Sequence, residues 1–126
     1  VVDKWFMVQA TASRPDALDH VLTLMEHPAF SMRNPNRVRS LIGAFAASNP
    51  QGFHAADGRG YEFLADQIVA LDAMNPQIAA RLVGPFKRWR RYDDRRQGMM
   101  RAALERIMSR KSLSRDVYEM VTKSLA

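Results

Sequence analysis

Two segments of this chain are written almost alike. "NPNRVRSLIGAF" (34–45) and "NPQIAARLVGPF" (75–86) share Asn, Pro, Leu, Gly and Phe at matching positions, with Ile facing Val, at an offset of 41 residues. In each, the Asn side chain offers an acceptor to the free N–H groups of a helix start, and Pro stands where its missing N–H costs nothing. An apolar stripe at helical spacing follows: Val38, Leu41, Ile42 and Phe45 in one, Ile78, Leu82 and Phe86 in the other. A second amphipathic helix comes after each, over 61–74 and roughly 95–110. Helix pairs recurring every ~40–47 residues are the pattern of HEAT and armadillo repeats. The sequence therefore predicts an all-α, HEAT/armadillo-like helical solenoid of stacked antiparallel helix pairs, with repeat copies at roughly 34–74 and 75–111.

The remaining helices fit the same scheme. A short helix around 4–12 and another over 15–27, ending at His27–Pro28, read as parts of a preceding copy. The Asn34–Pro35 helix is expected to run to Ser48, and the 75–86 helix to be disturbed at Gly84–Pro85. Asp93 or Asp94 opens a further helix, and Ser114 caps the last. The chain opens "VVDKWF" without an initiator Met, and a solenoid cut open there exposes apolar surface. Both features lead us to expect one all-helical fragment, 1–126, of something larger.

Charge is distributed unevenly. Residues 81–111 hold eleven Lys or Arg against Asp93, Asp94 and Glu105, a net of +8, so the remainder carries −2 of the total +6. In "PFKRWRRYDDRR" (85–96) arginines interleave with Trp89 and Tyr92, a pattern able to meet phosphates and stack on bases. Phe86 and Trp89 also continue the apolar stripe from Leu82, which makes them core residues with arginines projecting outward. The second reading is preferred, and nucleic acid is not the expected partner.

Catalytic chemistry leaves no trace in the chain. With no cysteine there is no disulfide, thiolate metal site or cysteine nucleophile, and the absence fits a reducing, cytoplasmic setting. His20, His27 and His54 form no HExxH or other ligand spacing, so no metal site is expected. No GxSxG or phosphate-cradling loop occurs, and no apolar run approaches the ~20 residues that span a bilayer. One placement stands out: Arg37 and Arg39 sit close to the start of a helix, where the dipole is positive and cations are disfavoured. They become intelligible if that helix end faces an anion.

"KWF", "NPNRVRSLIGAF", "NPQGFHAADGRGY", "NPQIAARL", "RYDDRRQ" and "MRAALERI", met in that order and closed by "KSLA", resemble the C-terminal helical domain of the bacterial aminopeptidase N family. The resemblance covers nearly the whole chain. It implies that the intact protein is a zinc-dependent aminopeptidase of the gluzincin type, its HExxH and further Glu lying upstream, with no catalytic or metal-binding residue in this fragment. It also implies that the domain encloses the catalytic cavity and limits peptide access, its partners being the catalytic and other domains of the parent. Lining the channel by that resemblance are Arg39, Gln77 and Arg81, with Arg37 and Asn34 as weaker candidates. Guanidinium groups there would attract the carboxylate of a bound peptide. Two rival readings are a helical scaffold binding another protein and a nucleic-acid module acting through 85–96.

Overall fold

Three Asn–Pro pairs open three helices in the computed structural model, which describes residues 1–126 and contains no strand. Its elements are α1 (Val2–Thr11), α2 (Ala17–Met25), α3 (Pro35–Val38), α4 (Ala44–Ser48), α5 (Pro50–Phe53), α6 (Arg59–Asp72), α7 (Pro76–Arg81), α8 (Asp94–Met108) and α9 (Arg115–Leu125). A π turn, Arg39–Gly43, joins α3 to α4, and two 3₁₀ turns, Gly84–Phe86 and Trp89–Arg91, lie between α7 and α8. The chain divides into two compact units, Val1–Gly60 and Tyr61–Ala126.

In the first unit α1 packs against α2 and against the run from α3 through α4. Its core is Phe6, Val21, Val38, Leu41, Ile42, Phe45 and Phe53, all fully buried. Each such large apolar side chain contributes about 1.5–3 kcal/mol by leaving water. Aromatic edges organise the α1 end of this core: Phe6 meets Phe30 at 5.9 Å and His27 at 5.8 Å, both near perpendicular. The entry to α6 is tight. Gly58 takes φ 73°, a left-handed conformation that favours glycine, and a Cβ on Gly60 would stand 2.2 Å from the Phe53 carbonyl oxygen.

In the second unit α9 packs on α7 and α8. Tyr61, Leu64, Ile68, Val83, Phe86, Met100, Leu104, Ile107, Val117 and Val121 are buried there. Asp93 caps α8 by accepting from the Arg96 N–H at 3.1 Å, and Ser114 caps α9 by accepting from the Val117 N–H at 3.2 Å. Asp72, at the end of α6, accepts from the Ser114 N–H at 2.7 Å, so it ties one helix end to the next helix start. Its other carboxylate oxygen is buried without a partner.

The structure sharpens the sequence expectation at three places. The expected 35–48 helix is interrupted by the π turn, and Asn49–Pro50 opens α5 as well as ending α4. The 75–86 helix stops at Arg81 and continues as 3₁₀ turns, because Pro85 has no N–H to carry the α pattern on. The expected 61–74 helix begins two residues early, after an Asx turn in which Asp57 Oδ1 accepts from the Arg59 N–H at 3.0 Å.

Candidate functional site

Asn34 fixes the geometry around the first pair of arginines. Its Oδ1 accepts from the N–H groups of Asn36 (3.1 Å) and Arg37 (3.3 Å), anchoring the first turn of α3. Arg37 then reaches α1, where Nη1 lies 2.5 Å from Asp3 Oδ1, and its Nε donates to the Ala29 carbonyl at 3.1 Å. Its charge is balanced inside its own unit, which resolves the unfavourable placement at a helix start. Arg39 is different. It is exposed, and Nη2 donates only to the neutral Asn36 side chain one turn back.

The second group lies on α7 in the other unit. Asn75 Oδ1 accepts from the Ile78 N–H at 3.3 Å, with Pro76 in the first turn. Ile78, Ala79 and Ala80 are buried, leaving Gln77 and Arg81 exposed on one side at i, i+4. Neither engages another residue of the chain. Arg81 falls in the last turn of α7, where the negative end of the dipole favours a cation. Within each unit, then, one guanidinium stands at an Asn–Pro-capped helix with no carboxylate beside it.

In "PFKRWRRYDDRR" Phe86 and Trp89 turn inward while most of the charged residues stay exposed. Trp89 is buried and its Nε1 donates to the Ser124 carbonyl at 2.8 Å. Arg90 stacks on that indole at 4.3 Å and donates to the Leu125 carbonyl at 2.8 Å, while Phe86 is fully buried beside Tyr61. Asp93 accepts from Arg96 Nη1 at 2.9 Å, and this bond holds its carboxyl below the usual carboxylate range. Burial pushes the Tyr61 phenol up to about 12. Of the two rings that could stack on bases, Trp89 is a core contact and Tyr92 is half-buried.

The histidines do not fit a zinc site. His20 Nε2 lies 2.8 Å from Gln9 Oε1, His27 Nδ1 accepts from the Ala29 N–H at 3.0 Å beside Trp5 and Phe6, and His54 meets the Phe53 ring edge to face at 4.8 Å. No three His, Asp or Glu side chains are close enough to share a metal ion. A cleft of about 350 Å³ in the first unit is lined by Ser13, Arg14, Asp16, Asp19, Gln51 and Arg59 among others. Arg14 pairs with Asp16 at 2.6 Å and Arg59 with Asp19 at 2.8 Å, a third carboxylate, Asp57, accepts from the Arg59 N–H at 3.0 Å, and none of the five residues singled out from sequence lines the cleft. No helix is long and apolar enough to cross a membrane.

The class of protein so defined is an all-helical repeat domain that presents arginines with no carboxylate beside them. The whole chain, residues 1–126, matches the family described as "Domain of unknown function (DUF3458_C) ARM repeats". It belongs to that family, the helical-solenoid C-terminal domain of aminopeptidase N-type proteins. It is 53% identical over its full length to aminopeptidase N of Escherichia coli (strain K12), and 50% identical over 99% of its length to aminopeptidase N of Caulobacter vibrioides. A crystal structure of Legionella pneumophila aminopeptidase A in complex with aspartic acid matches 98% of the chain at 44% identity with a TM-score of 0.92. In each case the chain spans 14% of that protein's length.

Proposed function

We propose that this chain is the non-catalytic wall of a longer zinc-dependent aminopeptidase, enclosing the active-site cavity and controlling which peptides enter. The bond-breaking step belongs to residues outside this chain, where zinc would polarise a water for attack on the first peptide bond. What this chain contributes is steric enclosure and positive charge. Arg39 and Arg81 offer guanidinium groups to the carboxylates of an entering peptide, Gln77 adds an amide beside Arg81, and Arg37 with Asn34 holds the helix start in place. The observation that carries this reading is that Arg39 and Arg81 are exposed with no carboxylate beside them, while Arg37 is neutralised by Asp3.

The test compares two substrates in the longer enzyme. Arg39→Ala and Arg81→Ala are expected to raise the KM of a peptide with a free C-terminal carboxylate about three- to fivefold, the upper scale of an exposed charge pair. The KM of an uncharged single-residue reporter should stay within about twofold. Equal changes on both substrates would remove the electrostatic role. Likewise, hydrolysis of an aminoacyl reporter by the purified 126-residue chain alone would overturn the reading of it as non-catalytic.

A further inference from the structure

Arginines in this chain commonly end on a carboxylate. Arg14, Arg37, Arg59, Arg96 and Arg106 each pair with an aspartate at 2.5–2.9 Å. Arg39 ends on an amide instead: its Nη2 donates to Asn36 Oδ1, three residues back on the same side of the helix. Asn36 is itself held, because its N–H donates to Asn34 Oδ1 at 3.1 Å. A guanidinium carries five N–H groups, and the amide takes one of them. Whichever Nη2 hydrogen is used, one two-pronged edge of the fork stays open to a carboxylate. An aspartate in the place of Asn36 would fill the fork and cancel its charge, as Asp3 does for Arg37.

We propose that Asn36 is a positioning residue for Arg39: it fixes the direction of the guanidinium without neutralising it. The role rests on the reading of Arg39 as a channel residue and adds a determinant of selectivity to it. With Asn36 in place, the site prefers peptides that end in a free α-carboxylate over the same peptides ending in an amide. Arg39 also opens the π turn, its carbonyl accepting from the Ala44 N–H, so main chain and side chain are both set at this point. Position 36 lies in the first turn of α3, where the positive end of the dipole favours an acidic residue. Helix stability alone would thus favour Asp over Asn there. The neutral amide is the residue that leaves Arg39 charged, aimed and free to pair with a ligand.

The experiment uses the longer enzyme and one peptide in two forms, with a free and with an amidated C-terminus. The readout is the ratio of their KM values, in which a general loss of activity cancels. Asn36→Asp, nearly isosteric, is expected to shift that ratio about three- to fivefold against the free acid, as far as Arg39→Ala does. Its midpoint in urea should equal or exceed that of the wild type, so the shift is not a loss of structure. Asn36→Gln, which restores a neutral acceptor, should bring the ratio back to within about twofold of the wild type. In an Arg39→Ala background Asn36→Asp should add nothing. If Arg39→Ala shifts the ratio and Asn36→Asp does not, the role of Asn36 is overturned while the reading of Arg39 stands. If Arg39→Ala leaves the ratio unchanged, the reading of Arg39 falls and takes the role of Asn36 with it. An Asn36→Asp effect that persists without Arg39 also overturns the role, assigning the shift to the general field.

Discussion

At the scale of single residues, Asn49 does most with least. Its Oδ1 accepts from the Gly52 N–H at 3.1 Å and so caps α5, while Nδ2 donates to the carbonyls of Ala10 (2.9 Å) and Ala12 (3.2 Å), groups that the end of α1 leaves open. Asn49 is only 4% exposed and Ala10 1%, so the Ala10 carbonyl has no water to turn to. Asn49→Ala should therefore cost about 2–3 kcal/mol in urea unfolding, against about 1 kcal/mol for Asn34→Ala at a more open cap. Tyr61 gives a second test, by pH. Its phenol is fully buried and raised from 10.0 to about 12, so ionisation is disfavoured in the folded state. The resulting stability is complete below about pH 10 and is lost as pH rises toward the folded value. Absorbance at 295 nm should show one of the three tyrosines ionising near pH 12 in the folded chain, and all of them near 10 once it is unfolded.

At the scale of elements, the second unit is tied together through the Trp89 indole. It fills the space under α9 and donates to the Ser124 carbonyl in the last turn of that helix. Trp89→Ala is expected to cost about 3–5 kcal/mol and to release α9 first, seen as faster amide exchange over 115–125 than over α8. The elements also show what could be read in advance. Asn34, Asn75, Asp93 and Ser114 were legible as caps because a cap is a local bargain between one side chain and N–H groups two or three residues on. Gly84–Pro85 was legible as a disturbance for the same reason. The donor role of Asn49 was not, since its partners lie 39 and 37 residues away, nor was the Arg37–Asp3 tie across 34. Composition identified the basic run, and the apolar stripe continuing from Leu82 predicts Trp89 in the core with the arginines outward, as the structure has it for Arg91 and Arg95. The candidate channel residues were visible by type and by family likeness; Asn36, the neutral partner that holds Arg39, had no signature at all.

At the scale of the whole molecule, charge decides how the proposed role would be felt. A net +6 is concentrated in one stretch, so part of any attraction for peptide carboxylates acts through the general field and part through Arg39 and Arg81 themselves. The two separate by salt. With a screening length of about 8 Å at physiological ionic strength, the field fades before direct contacts do. The difference between wild type and Arg81→Ala in peptide KM should thus persist at about 0.15 M salt, where a purely long-range effect would already have shrunk. The π turn at Arg39–Gly43 bears on the chain as a whole in another way. A π turn holds one more residue than a regular helical turn would over the same rise. Deleting one residue there would close the wide turn to a regular α-helical one and leave Phe45 near its place in the core, whereas the same deletion inside α6 or α8 would rotate everything after it by about 100°. This stretch is thus where the first unit tolerates a one-residue difference in length, and a variant shortened by one here keeps its core where one shortened elsewhere would not.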